Sequence, residues 1–197
     1  MHYFSEKPTS RLKLGILRCQ LREKNFEFIT ASGVFSPKKI DKGSLLLIEN
    51  IKIADGERAL DLGCGYGPIG ITAAALAPHG HVVLTDVNER AIWLAKKNIK
   101  HNKIHNAEVR KGYLYETAPE KFDCILTNPP VRVGMEALFK IIEGAKEHLN
   151  SGGTLQIVIR TKQGAKRISG KMNETFGNVY ELTKKGGYRV YLSRMPG

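Results

Sequence analysis

Residues 58–70 read RALDLGCGYGPIG, and the rest of the chain is arranged around them. Ala59, Leu60 and Leu62 form the short apolar run of a buried strand, which stops at Gly63, Gly65 and Gly67. Pro68 and Gly70 then open an apolar helix; proline suits the first helical turn, where its missing N–H has no partner to lose. Closely spaced glycines let the main chain take positive φ and let a ligand lie against it. The stretch reads as a strand, a glycine loop and a helix around a nucleotide-like ligand.

Two ligand classes fit this loop. Gly65-x-Gly67-x-x-Gly70 satisfies the dinucleotide fingerprint, and Asp86, 21 positions after Gly65, stands where a ribose-binding carboxylate is expected. Taken alone, that pattern leaves a nicotinamide cofactor open. Asp61 at the mouth of the loop argues the other way, because a carboxylate there repels a pyrophosphate seated on the helix N-terminus and welcomes a cation. S-adenosylmethionine has a ribose, an ammonium and a sulfonium, and no phosphate. In this respect the stretch resembles the first motif of the class I methyltransferases, an acidic residue followed by x-G-x-G-x-G.

Composition narrows the setting. The chain has 197 residues, 42% of them hydrophobic and 25% charged, an ordinary globular mix for one domain with a full core. No run approaches the ~20 apolar residues that span a bilayer, and the N-terminal MHYFSEKPTSRLK has no apolar signal-peptide segment. Cys19, Cys64 and Cys124 are scattered without metal spacing, which predicts a reduced, cytoplasmic protein. His101 and His105 lie in a polar stretch at a helix end and read as a solvated face, so no metal site is expected.

The net charge of +12 is unevenly placed. Residues 1–44 carry nine Lys/Arg against four Asp/Glu, residues 151–197 carry nine against two, and the middle is balanced at thirteen each. A neutral ligand-binding body with basic ends predicts a polyanionic partner at those ends, most simply RNA, with a lysine-rich soluble surface as the plain alternative.

Read in order, residues 12–20 and 26–31 form a β-hairpin around a polar turn at Arg22 to Asn25. Gly33, Pro37 and Gly43 break the next segment, and Asp41 or Ser44 caps a helix over 45–51. Gly33-Val34-Phe35-Ser36 lies near the cofactor mouth if that helix packs beside the sheet, with Phe35 open between site and core. Strands then follow at 81–85, 107–111, 122–127, 154–160, 178–183 and 188–193, with helices at 68–77, 89–101, 135–149 and 164–176. Lys184 to Gly187 is a tight turn, so the last two strands are antiparallel. The expected fold is α/β: a doubly wound, mostly parallel seven-stranded sheet with an antiparallel C-terminal hairpin, plus the N-terminal β-hairpin. This is how class I methyltransferases look. The expected division is 1–42 as hairpin and lead-in and 43–197 as the S-adenosylmethionine-dependent domain.

Asp86 ends its strand on the carboxyl edge, where doubly wound sheets bind ligands, and can accept from both ribose hydroxyls. Asn88 fits better as the cap of the next helix. Asn128-Pro129-Pro130 follows a core strand, and its prolines end the ladder and stiffen the backbone. An exocyclic amine is a poor nucleophile because its lone pair is delocalised. Acceptors such as Asn128 Oδ1 and the Pro129 carbonyl can hold both of its N–H bonds and aim the lone pair at a methyl carbon. Alignment of this kind is worth up to roughly 7–11 kcal/mol.

The tripeptide resembles the [DN]-P-P-[FYW] motif of amino-group methyltransferases. Gly33-Val34-Phe35-Ser36, Asp41-x-Gly43-Ser44, Asn128-Pro129-Pro130 with Gly134, and Gly187-Tyr188-Arg189-Val190 together resemble the small-subunit ribosomal RNA guanine-N2 methyltransferases and their single-domain relatives. The resemblance runs from about residue 26 onward. It implies that Asp61, Gly63, Gly65 and Asp86 hold S-adenosylmethionine and that Asn128 and Pro129 orient the amine. The candidate cofactor set is therefore Phe35, Asp61, Gly63, Cys64, Gly65, Gly67, Asp86, Val87, Tyr113 and Asn128, and the candidate catalytic set Asn128, Pro129 and Pro130. Two residues depart from the pattern: Val131 replaces the usual aromatic, and Tyr113 stands where many relatives have an acidic residue that meets the adenine. Arg132 is open between a phosphate or base contact and a solvated role.

The expectation is an S-adenosylmethionine-dependent transferase acting on an exocyclic amine, guanine-N2 of ribosomal or other structured RNA. Lys162, Lys166, Arg167, Lys184 and Lys185 are candidate phosphate contacts. Protein glutamine-N5, a small-molecule amine, and a non-enzymatic RNA-binding module that retains the cofactor stay open as alternatives. Oligomeric state is not legible.

Overall fold

A computed structural model describes residues 11–130 and 134–197. Two strands, β1 (Leu14–Leu21) and β2 (Lys24–Ala31), make a separate antiparallel hairpin. Next comes α1 (Lys42–Asn50), and then strands and helices alternate: β3 (Arg58–Leu62), α2 (Pro68–Leu76), β4 (His81–Asp86) and α3 (Glu89–His101). The second half holds β5 (Ala107–Lys111), β6 (Phe122–Thr127), α4 (Gly134–His148), β7 (Leu149–Arg160), α5 (Ala165–Phe176), β8 (Tyr180–Lys185) and β9 (Tyr188–Arg194).

The seven-stranded sheet has the order β5-β4-β3-β6-β7-β9-β8. Strands β3 to β7 run parallel, and β9 lies antiparallel between β7 and β8. Its central strands β3, β4, β6 and β7 are mostly apolar and buried because both faces are covered, while the edge strands β5 and β8 are largely polar. Ala59, Val82, Leu84 and Leu126 turn towards α1, α2, α3 and the hairpin, while Leu60, Val83, Ile125 and Ile157 turn towards α4 and α5.

The hairpin is fixed to this body by side chains that imitate a strand. Asn98 of α3 accepts from the Ile29 N–H at 2.7 Å and donates to the Ile29 carbonyl at 2.9 Å. One turn later, Asn102 does the same for Glu27, at 3.0 Å each way. Asparagines four apart on a helix thus meet alternate residues of β2, since both spacings are close to 6–7 Å. His101, expected to be merely solvated, bonds Glu27 Oε1 at 2.8 Å. At the hairpin's tip, Arg22 and Glu23 both take positive φ, 48° and 65°. There Arg22 Nη1 donates to the carbonyls of Ile48, Glu49 and Ile51, closing the C-terminus of α1.

Several boundaries differ from the sequence reading, three of them for a clear local reason. α1 begins at Lys42 because Asp41 caps it. Residues 149–153 belong to the irregular start of β7 rather than to a helix end and turn. β8 runs on to Lys185 because Gly186 and Gly187, both at positive φ, make a turn of only two residues.

Candidate active site

Gly65 sits at φ 58° with open space where a side chain would stand, so main chain forms the cavity wall there. The Gly63 and Cys64 N–H groups both donate to the Thr85 carbonyl at 2.9 Å. Asp86 Oδ2 accepts from the Gly65 N–H at 2.8 Å, which fastens the loop to the tip of β4. The other oxygen, Oδ1, accepts from Asn88 N–H at 2.9 Å, and Asn88 caps α3 through the Arg90 and Ala91 amides. Each Asp86 oxygen keeps a lone pair for a further donor. Burial raises this carboxyl above its ordinary range against the pull of those amides.

A cavity with about 1170 Å³ of empty space, its open mouth included, follows the carboxyl edge of the sheet. Phe35, Gly63, Cys64, Gly65, Asp86, Val87, Tyr113, Asn128, Pro129 and Pro130 all line it, although they come from five separate stretches of chain. Phe35 and Tyr113 stand 42% and 47% exposed at the mouth, while Val34 beside Phe35 is core. The Cys64 thiol is buried, and burial with the charges of Asp86 and Asp61 pushes its pKa up, so it stays neutral. Among the described residues the lining carries two carboxylates, Asp41 and Asp86, and no Lys, Arg or His. Such a wall suits a phosphate-free cationic nucleoside and disfavours a pyrophosphate.

Two members of the candidate set lie elsewhere. Gly67 starts α2 and is not in the wall. Asp61, expected at the mouth, is fully buried behind the loop, because strand alternation turns it towards α2. Its Oδ2 accepts from the Gly70 N–H at 2.7 Å, and its Oδ1 is sealed without a partner. Burial, with the Asp86 charge adding to it, pushes this carboxyl up to about 7. Asp61 can act on a ligand in the cavity through its field and not by direct contact. Val131 and Arg132 lie outside the described residues.

Asn128 is held from a direction the sequence did not reveal. Its Nδ2 donates to Asp41 Oδ2 at 3.1 Å and to Ser44 Oγ at 2.8 Å. A carboxylate oxygen only accepts, so the amide must turn its NH2 towards Asp41 and leave Oδ1 free. The same Asp41 oxygen caps α1, accepting from the Gly43 and Ser44 amides at 2.8 and 3.2 Å. The trace of this in the sequence is the run Asp41-x-Gly43-Ser44, which reads as a helix cap and as part of the family resemblance, with nothing to tie it to Asn128. Among the described residues, no group of three or more His, Cys, Asp or Glu could hold a metal.

A family model of the methyltransferase small domain matches residues 25–192. The chain is 41% identical to the Bacillus subtilis protein YbxB over 192 residues, 96% of each. It is 33% identical over 190 residues to ribosomal RNA small subunit methyltransferase C of Hamiltonella defensa, covering 94% of this chain and 55% of that one. The chain thus spans about half the length of that relative. A T. thermophilus 16S ribosomal RNA guanine-N2 methyltransferase, solved with S-adenosylmethionine and guanosine, matches with a TM-score of 0.84 and 26% identity, over 95% of this chain and 52% of that one. By these matches and by its fold, the chain belongs to the methyltransferase small domain family of class I, S-adenosylmethionine-dependent methyltransferases.

Proposed function

We propose that this chain methylates the exocyclic N2 of guanine in structured RNA, ribosomal RNA foremost, and that residues 43–197 form the transferase domain with 1–42 as its lead-in. The observation that carries this reading is the Asn128 amide, turned by Asp41 and Ser44 so that its oxygen is free on the wall of the cavity shared with Asp86.

Bound S-adenosylmethionine supplies a methyl carbon made electrophilic by its sulfonium. In this reading Asp86 takes the ribose hydroxyls, the Gly63–Gly65 main chain takes the amino-acid end, and Val87, Phe35 and Tyr113 flank the adenine. Asp61 adds a negative field from behind the loop. Asn128 Oδ1 and the Pro129 carbonyl accept the two N–H bonds of the amine and direct its lone pair across the cavity; the surplus proton leaves to water. Lys162, Lys166, Arg167, Lys184 and Lys185 are all exposed. β7 and β8 both end on the carboxyl edge, so these cations stand along the same edge as Asn128 and fit an RNA backbone that runs along it.

The test is to incubate unmodified 16S ribosomal RNA transcript with labelled cofactor and analyse the nucleosides. N2-methylguanosine is the expected product, and Asn128→Ala lowers turnover ~10²–10³-fold, the scale of losing one positioned hydrogen-bonding group, with cofactor affinity retained. Label that appears only in protein, and survives RNase, overturns the RNA assignment.

A further inference from the structure

We infer that Asp41 reads the target base and that Ser44 helps to position Asn128, so that the cap of α1 is also the guanine-selecting element of the site. The inference rests on the guanine-N2 reading and adds which edge of the base is recognised, and by what.

Asp41 has two oxygens with different duties. Oδ2 is fully engaged, accepting from the Gly43 and Ser44 amides and from Asn128 Nδ2. Oδ1 accepts no hydrogen bond among the described residues and is not sealed from solvent. Asn128 Oδ1 is in the same condition, and both side chains line the cavity. The contact between them uses one atom of each head group, so two free acceptors flank it on neighbouring side chains.

A pair of acceptors matches only an edge with two neighbouring donors. Guanine offers such an edge, with N1–H beside the N2 amine. Adenine offers an amine beside the bare N1 lone pair, which would meet the Asp41 oxygen acceptor to acceptor. A carboxylate accepting N1–H also leaves more electron density on the adjoining amine. Recognition and activation of the amine therefore use the same hydrogen bond.

The local packing keeps this group in place. A side chain at Gly43 would sit 2.9 Å from the Tyr188 ring and 2.9 Å from Asp41 Oδ2, so only glycine lets the first turn of α1 lie this close. Tyr188 is itself buried, and its hydroxyl accepts from Arg160 Nε at 2.8 Å. The first turn of α1 thus lies close against Tyr188 while Asp41 Oδ1 stays open.

The experiment uses the full chain and a short synthetic RNA with either guanine or 2-aminopurine at the methylated position. 2-Aminopurine keeps the amine and loses N1–H. Wild type should prefer guanine by about 10- to 100-fold in kcat/KM, the scale of one hydrogen bond to a charged group. Asp41→Asn keeps a good helix cap but brings its own N–H2, so the preference should collapse to about threefold or less. Ser44→Ala should lower kcat about tenfold, with KM and the guanine preference unchanged, since it removes only one anchor of the Asn128 amide. Equal rates on the two RNAs by wild type, or an undiminished preference in Asp41→Asn, overturn the inference while the guanine-N2 reading stands. No methylation of the guanine RNA by wild type overturns both.

Discussion

At the scale of single residues, Asp61 is the most unusual group in the chain. Its carboxyl titrates near 3.8 when unfolded and at about 7 in the folded protein, because burial penalises the charge. Between these values the folded chain holds more protons than the unfolded one, so stability falls as pH rises through the window. The penalty is absent below 3.8, complete above about 7, and scales as about 1.4 kcal/mol per pH unit. Asp61→Asn keeps an acceptor for the Gly70 amide and removes the charge. The gain in Tm over wild type, measured without cofactor, should therefore grow from about pH 4 to about pH 7 and then level off; a gap that stays flat with pH contradicts the assignment. Bound cofactor should shrink the gap, because an ammonium in the cavity favours ionised Asp61. Sequence pattern identified Asp61 as important but put it in the wall. Its burial comes from the alternation of β3, which turns this position towards α2, and which face of the strand α2 would cover is not marked within residues 58–62.

At the scale of elements, the asparagine ladder between α3 and β2 holds in place the segment that lines the cavity mouth. Asn98 also donates to the Tyr66 carbonyl at 2.8 Å, so one side chain joins the glycine loop, α3 and the hairpin. Asn98→Ala leaves several buried backbone groups unpaired and should cost about 2–4 kcal/mol in urea unfolding. It should also weaken cofactor binding, since Val34 to Ser36 follow directly on β2 and line the mouth. Unchanged cofactor affinity alongside lost stability confines the ladder to a structural role. Helices and parallel strands were legible in the sequence because each carries a local signal, an apolar stripe at helical spacing in the helices and a short apolar run bounded by turn residues in the strands. Contacts such as Asn128 with Asp41, 87 positions apart, carry no local pattern and emerge only when α1 packs against β7 and β9.

At the scale of the whole molecule, charge is segregated. The cavity wall is acidic, while exposed lysines and arginines stand along the carboxyl edge at α5 and at the β8–β9 turn. RNA affinity should fall steeply with salt, and the double change Lys184→Gln/Lys185→Gln should reduce the log–log slope by about 1 for each phosphate that is no longer neutralised. Cofactor affinity should not respond. A slope that the double change leaves untouched removes this turn from the RNA path. Charge counts in the sequence predict a polyanionic partner; that the C-terminal cations share an edge with Asn128 follows from the antiparallel return of β9, which sets β8 parallel to β7.

The turn at Arg22 and Glu23 puts two ordinary residues where glycine or asparagine is at ease. Grafting Asn-Gly into this position should relax the backbone and release the far end of α1 at the same stroke, because the guanidinium that closes the helix disappears. The hairpin would then be more comfortable and the amide at Asn128 less well aimed. A variant that melts later but turns over more slowly would show that this short bend trades local ease for catalytic alignment at the opposite end of the helix.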